Sequence, residues 1–273
     1  MDLKALIAEL KQMQQQPSIG LALAGGSAYG LAHIGALRFI EEVGMPIHVV
    51  AGTSAGAAAG AAWASGVSSD QMYQAAKQTD WLFLAKPVAF KSGLMSSEGI
   101  ENWINRLLDG KDFSDLKIPF AAVACDFTTG ELTVLNEGNV ARAVRISCTV
   151  PGIYHPVESG GRLLVDGGLV QNLPASVCRS MGAEFVIGVD LHANLASLKP
   201  RTVMRSLIHA THILQRQNEL IQLQYVDVVI QPQLAKLNPF NFRPVDEYVD
   251  LGYRAAREAA EQLGQMLREI IGN

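Results

Sequence analysis

One short segment holds the residues whose types and spacing point most directly to chemistry. Residues 52–56, Gly-Thr-Ser-Ala-Gly, follow the apolar run 47–51 and precede the alanine-rich run 57–64. This order predicts a buried strand, a sharp turn and a helix, with Ser54 at the turn. A serine there can attack a carbonyl carbon, and free N–H groups of the helix N-terminus, including that of Ala55, can stabilise the oxyanion that forms.

Two glycines make so tight a connection feasible. Gly52 and Gly56 flank the serine and remove side chains that would crowd a strand turning directly into a helix. The alternative interpretation is that Ser54 is an ordinary N-cap of the following helix. The strand before it and the helix after it favour the nucleophile.

A carboxylate follows another apolar run. Asp166 comes after residues 163–165 and precedes Gly167 and Gly168. An unpaired carboxylate at the mouth of an apolar sheet is costly unless it has hydrogen-bond donors or a chemical role. Beside a nucleophilic serine, we interpret Asp166 as a general base, ionised at neutral pH. The alternative is an aspartate that caps the following turn.

A glycine pair follows the first predicted strand, 19–23. Gly25 and Gly26 can bring backbone N–H groups close to a small ligand oxygen, which predicts an oxyanion hole. A dinucleotide phosphate loop is excluded because Ser27 stands where the second glycine of that pattern belongs, and the next strand does not end in an acidic residue. A tight turn with close packing remains the other interpretation.

The elements that must position these residues alternate between strand and helix along the chain. This alternation predicts an α/β fold with a mostly parallel central sheet and helices on both faces. Ligand sites in such sheets form beyond the carboxyl ends of the strands. If the strands are parallel, the glycine pair, Ser54 and Asp166 face one crevice.

The domain prediction is one α/β domain over residues 1–273. Its motif-bearing core covers about 19–188, preceded by an N-terminal helix at 1–16 and followed by a helical extension with one strand at 199–273. Residues 80–97 match no period, and we interpret them as a loop or a lid.

Bulk composition narrows the class of protein. The chain has 273 residues, 49% of them hydrophobic and 18% charged, which suits a large buried sheet and makes disorder unlikely. A net charge of -4 gives no electrostatic case for binding nucleic acid. Three cysteines without metal spacing indicate buried thiols in a reducing compartment, so we expect a cytoplasmic location and no metal. No run is long and apolar enough to span a bilayer, which leaves contact with a membrane surface open.

Three segments, in this order, resemble the short bacterial members of the patatin-like phospholipase family. They are Leu23 to Leu37, Gly52 to Gly56, and Ser147 to Gly152 together with Leu164 to Pro174. A weaker resemblance to the family lies at Ala124 to Asp126 with Thr129 and Gly130.

The resemblance implies the patatin-like architecture and a serine–aspartate dyad without a catalytic histidine. Ser54 is then the nucleophile, Asp166 the base, and Gly25 and Gly26 part of the oxyanion loop. It further implies cleavage of acyl esters of lipids through an acyl-enzyme, with no cofactor. The apolar residues 81–90 are then a wall for an acyl chain, or simply core.

The chain departs from the family at the oxyanion loop. Tyr29 stands where the family usually carries Arg or Lys, and Ala24 and Ser27 replace glycines. A neutral ester or a lysolipid is then favoured as the substrate. The alternatives are a non-catalytic protein that binds lipid or a partner, and a Ser-His-Asp esterase that uses His192. The oligomeric state is left undetermined.

Overall fold

The structure is a computed structural model that describes residues 3–14, 16–81, 86–87, 93–192 and 203–272. The helices are α1 (Leu3–Leu10), α2 (Ala32–Val43), α3 (Ala55–Ala64), α4 (Ser69–Gln78), α5 (Glu98–Leu108), α6 (Val140–Ser147), α7 (Ala175–Ser180), α8 (Val203–Gln222), α9 (Val245–Glu258) and α10 (Ala260–Gly272). The strands are β1 (Ile19–Leu23), β2 (Val49–Thr53), β3 (Lys86–Pro87), β4 (Gly93–Ser96), β5 (Phe120–Asp126), β6 (Leu132–Leu135), β7 (Gly152–Tyr154), β8 (Val157–Ser159), β9 (Arg162–Asp166), β10 (Phe185–Val189) and β11 (Val228–Ile230).

An eight-stranded sheet forms the centre of the molecule, in the order β11-β10-β1-β2-β5-β9-β8, with β6 also paired to β5. The strands from β11 to β5 are parallel. Strands β1, β2 and β5 are buried along their whole length, as expected for a parallel sheet covered on both faces. The predicted α/β class with a mostly parallel sheet is confirmed.

Helices pack on both faces of this sheet. Gly20 of β1 faces α7, where a Cβ would lie 2.9 Å from the Cβ of Cys178. Gly60 of α3 faces the side chains of Leu23 and Val50. Gly20 and Leu23 are three residues apart in β1 and therefore point to opposite faces of the sheet, so α3 and α7 cover different faces. The sequence therefore places small residues where helix and sheet approach most closely.

Strand β9 does not meet the condition of parallel strands on which the common crevice was predicted, because it runs antiparallel to β5. Strand β2 pairs with residues 120–123 of β5, and β9 pairs with residues 124–126. Strand β6 pairs with residues 122–125 and overlaps both ranges, so it occupies the other edge of β5. Strands β2 and β9 therefore share one edge of β5 and approach each other end to end.

This end-to-end arrangement decides where the two candidate side chains meet. Thr53 pairs with Val123, and Asp166 pairs with Ala124, the next residue of β5. Ser54 follows Thr53 directly. The serine and the aspartate thus come together at one level of the sheet although their strands run in opposite directions.

The loop prediction for residues 80–97 is wrong for part of that range. Strand β4 pairs with β3 and with β7 in a second, three-stranded sheet. The ring of Trp81 stacks on that of Phe242 at 4.5 Å, which indicates packing at this end of the predicted apolar wall. Phe90, at its other end, lies outside the described residues.

The last part of the predicted helical extension consists of two helices, α9 and α10, which meet at Ala259. Helix α9 packs closely on α2, where a Cβ at Gly35 would lie 1.9 Å from the carbonyl oxygen of Val249. No helix among the described residues combines the length and the hydropathy needed to cross a membrane.

Candidate active site

Ser54 occupies a strained position between β2 and α3. Its backbone has φ 52° and ψ −120°, a conformation that side chains other than glycine rarely adopt. A Cβ at Gly52 would lie 2.4 Å from the carbonyl oxygen of Gly56, and a Cβ at Gly56 would lie 2.1 Å from that of Leu23. Strain of this kind costs roughly 1–3 kcal/mol and persists only where the surroundings impose it. The predicted sharp turn at Ser54 is therefore present.

Ser147 holds this strained turn in place. Its hydroxyl accepts a hydrogen bond of 2.8 Å from the Ser54 N–H and donates one of 2.6 Å to the Val123 carbonyl. One buried side chain thus ties the turn to β5. No local sequence signal indicates this role, although Ser147 opens one of the segments that carry the family resemblance.

Asp166 lies at the end of β9 and is 3% exposed. Its carboxylate accepts a 2.8 Å hydrogen bond from the Gly168 N–H and interacts with the Ser54 side chain. Burial raises the pKa of Asp166 from 3.8 to about 6, against the opposing effect of these two interactions. A Cβ at Gly167 would lie 2.4 Å from the carbonyl oxygen of Val123, so this turn needs glycine.

A thiol completes the immediate surroundings of the serine. Cys148 interacts with the side chain of Ser54, and it is a free cysteine, as predicted. Burial, followed by the charge of Asp166, holds the pKa of the Cys148 thiol well above its usual range. The thiol is therefore neutral and does not compete with Ser54 as a nucleophile.

The glycine loop borders Ser54, but its N–H groups differ in availability. A Cβ at Gly25 would lie 3.2 Å from the Cβ of Ser54, so the loop approaches the serine closely. The Gly25 N–H donates to the carbonyl of Asn172 at 3.0 Å, which removes it as a free oxyanion donor in this conformation. Within the described residues, the N–H groups of Gly26 and Ala55 have no such acceptor.

Asn172 connects the glycine loop to α8. Its Nδ2 donates to the Gly25 carbonyl at 3.2 Å and to Glu219 Oε1 at 2.5 Å, which fixes the orientation of the amide. Its Oδ1 is buried and has no partner among the described residues. This oxygen lies 2.5 Å from where a Gly25 Cβ would stand and 2.7 Å from a Gly168 Cβ. Substitution of either glycine would therefore disturb Asn172.

His192 belongs to the support behind the glycine loop. It is 2% exposed, and its Nδ1 lies 2.8 Å from Glu219 Oε1 and 3.2 Å from Asn172 Nδ2. The structure gives it no hydrogen bond with Ser54 or Asp166, while its backbone N–H donates to Asp190. This placement does not support the Ser-His-Asp alternative, because a general base must reach the nucleophile.

Tyr29 packs into the core at the position where the family usually carries a cation. Its side chain is 3% exposed and its hydroxyl donates to the Leu237 carbonyl at 3.0 Å. Its ring lies 6.2 Å from those of both His192 and Tyr248. Burial raises the pKa of Tyr29, so the residue is neutral. The substitution therefore replaces a cation by an uncharged packing residue.

The described residues contain no group of three or more His, Cys, Asp or Glu side chains arranged to hold a metal ion. The groups that the structure brings together at this site are the serine, the carboxylate, the N–H groups of the loop and the N-terminus of α3.

Comparison with known proteins identifies the class to which this fold and site belong. The family model of the patatin-like phospholipases matches residues 21–179. The chain therefore belongs to the patatin-like phospholipase family. VipD from Legionella pneumophila has a similar fold, with a TM-score of 0.61 and 14% identity over 95% of this chain and 73% of that chain.

Two proteins of known sequence illustrate the similarity of this chain to other members of the family. The chain is 32% identical to an uncharacterized NTE family protein of Mycobacterium tuberculosis, over 92% of this chain and 48% of that protein. It is 36% identical to the patatin-like phospholipase domain-containing protein 6 of Homo sapiens, over 64% of this chain and 13% of that protein. The chain thus spans about half the length of the mycobacterial relative.

Proposed function

We propose that this protein hydrolyses carboxylic esters of lipids through an acyl-enzyme on Ser54, with Asp166 as the general base. The observation that carries the proposal is the meeting of a strained, helix-capping serine with a buried carboxylate whose pKa is raised to about 6. A base titrating near neutrality suits proton transfer better than an ordinary aspartate does.

The reaction follows from this arrangement in two halves. The Ser54 oxygen attacks the ester carbonyl carbon while its proton passes to Asp166, and the C–O bond to the alcohol then breaks as Asp166 returns the proton to the leaving oxygen. Water next attacks the acyl-enzyme, gives its proton to Asp166, and releases the acid as Ser54 recovers its hydroxyl. The Gly26 and Ala55 N–H groups and the N-terminus of α3 stabilise both oxyanions.

The substrate class follows from the family and from the loop. Family membership favours an acyl ester of a glycerolipid, of the phospholipase A, lysophospholipase or esterase type. The buried, neutral Tyr29 supplies no charge for an anionic headgroup, which favours neutral esters or lysolipids. We further propose a cytoplasmic protein that contacts membranes from their surface.

A second candidate function rests on the state of the glycine loop. Because the Gly25 N–H is bound by Asn172, the loop has one donor fewer than the sequence predicts. A patatin-like protein that binds lipid or regulates a partner without turnover accommodates this observation. Rates of ester hydrolysis separate the two candidates.

The test uses p-nitrophenyl esters of increasing acyl length with the wild-type protein and with Ser54→Ala, Asp166→Asn and His192→Ala variants. The proposal predicts hydrolysis that is lost in the first two variants and retained, per folded molecule, in the third. Absence of hydrolysis by the folded wild type on every ester would reject the proposal in favour of the binding function. Loss in the His192→Ala variant as well as in Ser54→Ala, per folded molecule, would require a Ser-His-Asp triad.

A further inference from the structure

Helix α8 carries its polar residues inward, against the loop that follows Asp166. Asn218 Nδ2 donates to the Leu169 carbonyl at 3.0 Å, and Glu219 accepts from Asn172. Gln222 Oε1 accepts from Gln171 Nε2 at 2.9 Å. These contacts recur at helical spacing and cover one face of α8. The helix is therefore fixed to the candidate active site by polar interactions.

The opposite face of α8 is apolar and exposed. Ile213, Leu214, Leu220 and Ile221 are 43%, 62%, 47% and 59% exposed, and Tyr225, just beyond the helix, is 37% exposed. This distribution inverts the usual arrangement, in which a surface helix buries its apolar side.

Charge is absent from this exposed face. Between residues 206 and 225 the sequence contains two residues with full charges, Arg216 and Glu219. Both point inward, since Arg216 forms a 2.7 Å ion pair with Asp190 and a 3.4 Å ion pair with Glu219. The outward residues other than the large apolar ones are Ser206, Ala210, Gln217 and Gln224.

Phe240 extends the same surface beyond the helix. It is 47% exposed, and its ring stacks on that of His212 at 6.4 Å. Together with Ile213, Leu214, Leu220, Ile221 and Tyr225 it forms what we call the α8 patch. Six of the ten large, exposed hydrophobic side chains among the described residues lie in this patch. Such concentration marks an interaction site rather than scattered surface residues.

We propose that the α8 patch docks on the surface of a lipid aggregate and so brings the candidate active site to its substrate. This inference rests on the proposed function. An uncharged face with aliphatic side chains and flanking aromatic rings suits insertion among acyl chains and headgroups, where a charge would be costly.

The alternative occupant, a second copy of the chain, fits the patch less well. A stable protein interface takes about 800 Å² from each partner and combines an apolar centre with a polar, hydrogen-bonding rim. The patch is a single helix face with one neighbouring ring, and its polar members are short or uncharged. The helix that bears the patch contacts the loop after Asp166 through its other face, so a lipid surface docked on the patch lies one helix away from the candidate active site.

The test measures flotation of the full chain with vesicles of phosphatidylcholine alone. The Ser54→Ala variant serves as the parent, so that turnover plays no part. In this parent, the double substitution Leu214→Gln and Ile221→Gln is expected to lower vesicle partitioning at least tenfold. The matched control replaces Leu132 and Leu163, exposed leucines of the β6 and β9 strands, by Gln and is expected to float like the parent. Thermal unfolding midpoints check that both variants are folded.

The salt dependence of vesicle binding and the oligomeric state of each variant complete the test. Because insertion depends on apolar contact, partitioning should persist at about 1 M NaCl, where charges separated by more than roughly 3 Å are screened. Equal flotation of the α8 variant and the parent, or release by salt, would overturn the inference. A dimer that is lost in the α8 variant, without vesicle binding, would also overturn it. Vesicle binding that depends on the patch, in a wild type inactive on soluble esters, would reject the proposed function alone.

Discussion

The raised pKa of Asp166 has a direct consequence for stability. Its ordinary pKa of 3.8 describes the unfolded chain, and burial raises it to about 6 in the folded protein. At about 1.4 kcal/mol per pH unit, this difference amounts to ~3 kcal/mol. Below the unfolded pKa the carboxyl is neutral in both states and costs nothing. Between pH 4 and 6 the unfolded chain ionises first, so folding stability is lost as the pH rises through the folded pKa.

The Asp166→Asn variant removes this cost and keeps an acceptor for the Gly168 N–H. Its free energy of unfolding relative to the wild type should therefore rise by ~2.5 kcal/mol between pH 4 and pH 8, because the unfolded carboxyl is already partly ionised at pH 4. Urea denaturation at both pH values, followed by circular dichroism, measures this difference. A variant that is equally stabilised at both pH values would refute the reasoning about burial. In the wild type, the same pKa predicts that kcat/KM for ester hydrolysis rises with a midpoint near pH 6.

Three further substitutions test the packing around the site. Ser147→Ala leaves the N–H of Ser54 without its acceptor, so we expect about 1–3 kcal/mol lower stability in urea denaturation and a larger fractional loss of ester hydrolysis. Gly56→Ala places a Cβ 2.1 Å from a backbone oxygen and should cost roughly 3 kcal/mol or more in thermal unfolding, while Gly60→Ala, which meets side chains at 3.0 Å, should cost less. Tyr29→Arg buries a cation and should destabilise the fold without increasing hydrolysis.

Each of these expectations has an outcome that contradicts it. Unchanged activity of Ser147→Ala would mean that the strained turn at Ser54 forms without the Ser147 hydrogen bond. Equal losses in Gly56→Ala and Gly60→Ala would remove the argument from close backbone approach. A Tyr29→Arg variant that is stable and more active would show that this position faces the substrate, rather than the core in which the tyrosine packs.

Local sequence signals predicted most of the elements. The first strand has its predicted bounds, Ile19–Leu23, and Gly44 ends α2 in the left-handed conformation. A capping box formed by Ser68 and Gln71 opens α4, and its spacing is a local feature of the same kind. These features depend on neighbours within a few residues, so the sequence displays them directly.

The features that could not be predicted depend on contacts between residues far apart in the sequence. The antiparallel direction of β9 depends on β5, about forty residues away in sequence, and no local pattern encodes it. Likewise, Ser147 and Asn172 act on Ser54 and Gly25 through contacts that the fold alone brings about. The break between α9 and α10 at Ala259 escaped prediction because the apolar period continues across it.

The α8 patch was beyond sequence analysis for a related reason. Its apolar residues follow a helical period, which by itself predicts burial of that face. Only the contacts of Asn218, Glu219 and Gln222 with the Asp166 loop show that the polar face lies inside. The amphipathic pattern shows which residues share a face of the helix, but it does not show which of the two faces is exposed to solvent.

The proposed dyad makes Ser54 an activated nucleophile and Asp166 its base. Its most direct test is reaction of the folded protein with a fluorophosphonate probe, with the modified residue mapped by peptide mass spectrometry. We expect a single adduct on Ser54, formed faster above pH 6 than below it and strongly slowed in Asp166→Asn. A folded wild type that remains unmodified, or that carries the adduct on another residue, would contradict it.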